Sequence, residues 1–454
     1  MPAEGSGRYH TMIFVFCTGA PLSIFWRAVF LCPKINTGSL NVSVSATNIE
    51  NNTPVAASFS GRFGPAWVIS AVAAGPATMA SVAIAGGTYG YAFLWVVILS
   101  ALLAFINQYM SAKIGLIAGQ GIIRIVEQRW GHVWALILMV DALLATWLAA
   151  AALMKALVGV SGLITGLDSP LWAFFWVGLL YMLLNKGGYR LLEKVSKILV
   201  CLVVSCFVIT AIKIKPDMGS MLTGLIPTLQ GQGQEALMMA AIMGGAVHIT
   251  IIAMHSYTVN QRGWTLQKMP LAAMDTFLSM FVAFGLYSVA IFLTGAAWLH
   301  PKNVAIKNAF DLARTLTPVL GPYAGTVFMF GLWGAVLSTI TPTFLAGGYF
   351  LADTFGWGKD MRDPRFNKAV LAGCMVSLAG PLLPGGWLIM LVIMLAMGLC
   401  GTPLIIGMNL LLLNQKSWAG EHTNGLAVNI LGLLSLILTT FLAGRWVLAQ
   451  VGIV

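Results

Sequence analysis

Apolar runs of bilayer-crossing length, repeated along the chain and divided by short polar loops, restrict this sequence more than any other feature. A helical crossing takes ~20 apolar residues. On that basis eleven spans are expected, at 65–87, 92–116, 133–158, 171–184, 198–212, 237–259, 276–298, 323–350, 369–383, 387–413 and 425–451, the fourth, fifth and ninth being short. Hydrocarbon offers no water to bond the backbone, so each run must satisfy its own N–H and C=O groups as a helix. The expected fold class is therefore an all-α polytopic membrane protein. Composition agrees, with 59% hydrophobic and 9% charged residues, where soluble domains carry roughly a quarter charged.

The net charge of +11 does not indicate nucleic acid, because Lys and Arg fall in short loops between apolar runs. Arg124, Arg129, Lys186, Arg190, Lys194, Lys197, Arg262, Lys268, Lys359, Arg362, Arg365, Lys368 and Lys416 fall on one side. Only Lys213, Lys215, Lys302, Lys307 and Arg314 fall on the other. The excess predicts a cytoplasmic N-terminus and an outer C-terminus; the expected location is a prokaryotic-type inner (plasma) membrane. The six cysteines show no metal-type spacing and read as small hydrophobes. Residues 1–63, apolar at first and then rich in Ser, Asn and Thr, are expected to form a poorly ordered tail.

Two spans are interrupted. Gly75-Pro76-Ala77-Thr78 breaks the first. Proline donates no amide hydrogen and clashes with the carbonyl four residues back. Such a break is either a packed kink or a binding site. The sixth span repeats the theme, where Gly244-Gly245-Ala246-Val247-His248-Ile249-Thr250 puts an imidazole at mid-depth. Paired interruptions five spans apart favour an inverted-repeat transporter with its site between them. Ionisable groups inside spans are functional by default. Asp141 reads as a coupling residue, Lys155 as snorkelling outward, and Asp275 as capping the seventh helix. Met238, Met239 and Met243 read as packing.

The run 64–113 resembles the opening of the Nramp (natural resistance-associated macrophage protein) divalent-metal transporters, anchored by Tyr89-Gly90-Tyr91-Ala92-Phe93-Leu94-Trp95-Val96-Val97. Gly188-Tyr189-Arg190-Leu191-Leu192-Glu193, His255-Ser256, Arg262, Leu337-Ser338-Thr339-Ile340-Thr341 and Gly420-Glu421 extend it to the C-terminus. The resemblance implies a LeuT-type fold. Two inverted five-helix repeats, 64–214 and 215–415, precede an eleventh transmembrane helix in 416–454. Helices one and six break around the substrate. It places the family's Asp-Pro-Gly-Asn motif on Gly75-Pro76-Ala77-Thr78, so the carboxylate is gone. The family's Met-Pro-His falls on His248-Ile249-Thr250. Its Asn of the seventh helix aligns with Ser288, and its acidic residues of the third fall near Trp147 and Ala150. Arg262 is implied at an inner gate or proton route. His255 reads as packing.

A divalent cation needs anionic or soft ligands to replace its water. The expected site, Gly75, Pro76, Ala77, Thr78, Ala246, His248, Ile249, Thr250 and Ser288, offers hydroxyls, carbonyls and one imidazole. Helix N-termini carry about half a positive charge, so a small anion fits, bicarbonate best. The alternatives are hydrated magnesium or manganese, and a transport-inactive sensor with two intact helices and no cavity. Asp141, Trp147, His255 and Arg262 are expected coupling or gating residues, the coupling ion being left open between sodium and proton. No resident metal or cofactor is expected. The sequence holds no nucleophile–base pair, phosphate loop or carboxylate cluster, which excludes an enzyme.

Overall fold

The computed structural model describes residues 64–186, 189–228, 233–304, 306 and 308–452; the expected tail, 1–63, lies outside them. Among the described residues the regular structure is entirely helical. The first span is two helices, α1 (Ala66–Ala73) and α2 (Pro76–Tyr89), bent by 50°. Then follow α3 (Leu94–Ala118), the short amphipathic α4 (Ile122–Trp130), α5 (His132–Thr165), α6 (Trp172–Lys186) and α7 (Tyr189–Ile214). The sixth span is again divided, into α8 (Gln234–Val247) and α9 (Ile249–Gln261). The seventh comprises α10 (Met269–Thr276), a π-helical stretch (Phe277–Ala283) and α11 (Phe284–Thr294). The last four long helices are α12 (Ala324–Phe355), α13 (Pro364–Ser377), α14 (Trp387–Asn414) and α15 (Leu426–Gln450).

Eight helices, or nine counting the bent α1–α2 pair, are long and apolar enough to cross a membrane among the described residues. The expected fourth and ninth spans form as α6 and α13, but with 15 and 14 residues they fall below that length. The central 18-residue apolar stretch of the α8–α9 span is wholly buried in the protein. A span shielded from lipid on every side is where non-helical backbone can be satisfied by neighbouring protein. The long helices α5 and α12 pack along each other, and α14 packs on α8 and α5.

Candidate functional site

The first break is built by Gly75 and Pro76. Gly75 is extended (φ −69°, ψ −178°), and Pro76 opens α2 at its first turn, where a missing N–H costs nothing. The carbonyls left at the end of α1 are bonded locally. Ala73 O accepts from Thr78 Oγ1 at 2.6 Å, and Val72 O accepts from Gly75 N at 3.2 Å. A side chain at Gly75 would strike Thr339 Oγ1 on α12, at 2.8 Å from its Cβ position.

The second break is one extended residue, His248 (φ −62°, ψ 135°). Its Nδ1 accepts the Thr250 amide at 3.2 Å, so the imidazole caps its own half-helix. An Nδ1 that accepts carries no proton, and the neutral ring then holds its hydrogen on Nε2. Nε2 lies buried with no hydrogen bond of good geometry, the backbone of Met394 on α14 being within interaction reach of the ring. Val247 O, freed by the break, accepts from Thr402 Oγ1 of α14 at 2.8 Å. The two breaks meet at Gly245, whose Cβ position is 2.6 Å from Thr78 Oγ1.

Between them lies a cavity of ≈ 50 Å³, room for roughly four water-sized bodies. Of the expected site residues, Gly75, Pro76, Ala77, Thr78, His248 and Thr250 line it. Ala149 and Leu153 of α5, Thr339 and Thr343 of α12, and Met394 and Leu395 of α14 also line it, with Val72, Ala73, Gly245 and Ile251 of the two broken spans, none of them anticipated as site residues. A signal existed for α12, where Thr339 and Thr343 lie one turn apart and flank the intrahelical Pro342. The hydroxyl hydrogens are largely engaged: Thr339 donates to Ala335 O and Thr343 to Thr339 O. Thr146 donates to Ala142 O and meets Thr250 Oγ1 at 2.8 Å, leaving Thr250 as donor in that pair. Thr78 and Thr250 therefore present oxygen lone pairs. Among the described residues, no three His, Cys, Asp or Glu side chains are grouped to hold a metal ion.

Other expected site residues lie elsewhere. Ala246 and Ile249 are buried beside the break but outside the lining, as is Ser288, whose hydroxyl is unpartnered on α11. Trp147 turns away, its indole Nε1 3.4 Å from the Cβ position of Gly347 and 3.5 Å from that of Gly373. His255 packs, its Nδ1 3.0 Å from Gln108 Oε1. Asp141 is half-buried on α5 with its carboxylate against Gly401. Arg262 ends α9 within electrostatic reach of Asp275. Asp275 does not cap the seventh helix. It sits within α10 and caps α1, accepting from Gly64 N and Ala66 N. Lys155 donates to Leu383 O instead of snorkelling free.

Two broken helices crossing at a small mid-protein cavity define a membrane transporter of LeuT-type fold. Solved structures agree on the fold: a manganese transporter of Eremococcus coleocola superposes with TM-score 0.66 at 18% identity, covering 86% of this chain and 90% of its own. The nucleobase-cation-symport-1 transporter MHP1 superposes with TM-score 0.55 at 16% identity, over 86% and 93%. Residues 66–449 match the family described as natural resistance-associated macrophage protein-like, and the chain belongs to that Nramp family. It is 29% identical over 314 residues to the divalent metal cation transporter MntH of Deinococcus radiodurans, covering 65% of this chain and 69% of the relative.

Proposed function

We propose that this Nramp-family transporter moves a small inorganic anion by alternating access, bicarbonate being the best fit. The observation that supports this most is the Thr250 amide on His248 Nδ1. With Nδ1 engaged by the Thr250 amide, the ring offers an N–H and not a lone pair. That suits an acceptor oxygen and opposes a metal. The α2 N-terminus adds backbone amides and positive potential. Bicarbonate has acceptor oxygens for these donors and one hydroxyl for the Thr78 or Thr250 oxygen. The test is uptake of labelled bicarbonate into liposomes carrying the protein. Uptake that His248→Ala abolishes supports the reading; no uptake above empty liposomes overturns it.

A second reading, divalent-cation transport, is favoured by the names of the relatives and by two features of the cavity. Its hydroxyls present lone pairs, and Met394 lines it, whose thioether is a soft ligand. Against it stands the lack of a carboxylate to offset two charges away from water, a cost of several kcal/mol. Manganese uptake in the same liposomes, with bicarbonate ignored, would establish this reading.

A further inference from the structure

We propose that Gly398 and Thr402 of α14 are positioning residues for the ion site, forming the seat that fixes the second break and aims His248. The inference rests on His248 belonging to the site, as argued above. A Cβ at Gly398 would overlap Nε2, Cδ2 and Cε1 of the His248 ring, all within contact distance no side chain tolerates. One turn on, the Thr402 hydroxyl donates to Val247 O, the last carbonyl before the break, at 2.8 Å, sharing its hydrogen with Gly398 O at 3.0 Å. One turn back, Gly244 of α8 is pressed on the Leu395 backbone, where a Cβ would overlap the carbonyl oxygen. So a single face of α14, at 395, 398 and 402, meets three consecutive features of the interrupted span: its glycine, its freed carbonyl and its imidazole. The extended residue at 248 has no regular helix to hold it. Its ring is held at one edge by the Thr250 amide and at the other by the absence of a side chain at 398.

In Gly398→Ala the ring must leave its seat. Because His248 lines a cavity of only ≈ 50 Å³, a displaced ring intrudes on the ion or withdraws its donor from it. The test is a double-mutant cycle in the full-length protein, with Gly398→Ala, His248→Ala and the pair, read in two ways. Thermal melting without added ion reports the ring–seat contact alone. Gly398→Ala should melt lower than the parent, and in the His248→Ala background the added methyl should cost nothing further. Thr402→Val, which leaves the ring's space untouched, should melt lower in both backgrounds. Uptake in liposomes, run with bicarbonate and with manganese, reports the ion. Gly398→Ala should raise the half-saturating concentration of the transported ion by roughly tenfold or more, a coupling usual for touching residues. Additive melting losses, or Gly398→Ala indistinguishable from the parent, overturn the proposal. The melting arm contains no ion, so its outcome stands whichever ion the uptake arm identifies.

Discussion

The carboxylate of Asp275 closes the N-terminus of α1 from more than two hundred residues away, its oxygens accepting from Gly64 N at 3.0 Å and Ala66 N at 2.9 Å. The first amides of a helix have no partner within it, and a charged acceptor there is among the stronger caps. Here the cap also ties the half-helix below the cavity to α10. A second tie runs alongside, from Ser70 Oγ to Ser279 O at 2.7 Å. Moving α1 away from α10 and the π-helical stretch would require both to break. Asp275→Ala should cost about 2 kcal/mol, the usual range for hydrogen bonds to a charged group. It should also speed labelling of a cysteine placed at Ser70. Unchanged melting together with unchanged labelling would show that α1 is held by packing alone.

Thr146 and Thr250 join α5 to the second break through one hydroxyl–hydroxyl bond of 2.8 Å. Thr146→Val and Thr250→Val should each lose about 1 kcal/mol. The double variant should lose little more than either single one, because the bond is shared. Chemical denaturation of the four proteins measures this. Full additivity would mean that the two hydroxyls act separately.

The first break was legible in the sequence because its cause is local: Pro76 lacks a donor whatever surrounds it. Gly244-Gly245 pointed to the second only approximately, for both are helical in α8 and the chain breaks three residues on, at His248. The far walls were not legible, since they depend on rotation about helix axes. Trp147 stands two residues from Ala149, about 200° around α5. That offset carries the indole to the α12–α13 side while Ala149 and Leu153 face the cavity. Met394 and Gly398 have no mark in a uniformly apolar run, and only the packed neighbour gives Gly398 its meaning. Asp275 reads as a cap, but the helix it caps is distant in sequence, and no local pattern points there.

The corner between α4 and α5 should loosen in acid. Glu127 Oε1 lies 2.9 Å from His132 Nδ1, and its Oε2 lies 2.5 Å from Arg124 Nη1. The His132 contact first, and Arg124 with it, hold the Glu127 carboxyl below the usual carboxylate range. A lowered carboxylate stabilises the fold above its ordinary pKa, and that contribution is lost as pH falls through the lowered value. Solvent screens this corner, so the contribution stays below about 1 kcal/mol. Measured against the intrinsic exchange rate, which itself falls in acid, amide protection at 122–132 should decline as pH drops below the ordinary glutamate value of about 4.3. Glu127→Gln should be less protected above that value and respond less to acid. An equal acid response in both proteins would remove Glu127 from the role.

Asp353, at the end of α12, gathers three elements at one carboxylate. Its Oδ2 accepts from Arg124 N and from Tyr257 OH, each at 2.9 Å, and its Oδ1 pairs with Lys359. The Arg124 amide belongs to α4 and the Tyr257 hydroxyl to α9, so the broken sixth span is bound to the α4 loop through a side chain of α12. Ser256 Oγ reinforces the link by accepting from Ile122 N at 3.1 Å. Gly121 lets the loop approach this closely, since a Cβ there would overlap the Tyr257 ring. Lys359 is partly exposed, so its pairing adds little in water; the buried phenol and amide matter more. Asp353→Ala orphans both and should cost about 3 kcal/mol. Asp353→Asn keeps an acceptor and should cost less. If the tie also holds α9 during transport, Asp353→Ala should slow uptake at saturating ion and leave the half-saturating concentration nearly unchanged, because the cavity residues are untouched. A variant that melts like the parent would show instead that water replaces the carboxylate, and that α4 and α9 are held together without it.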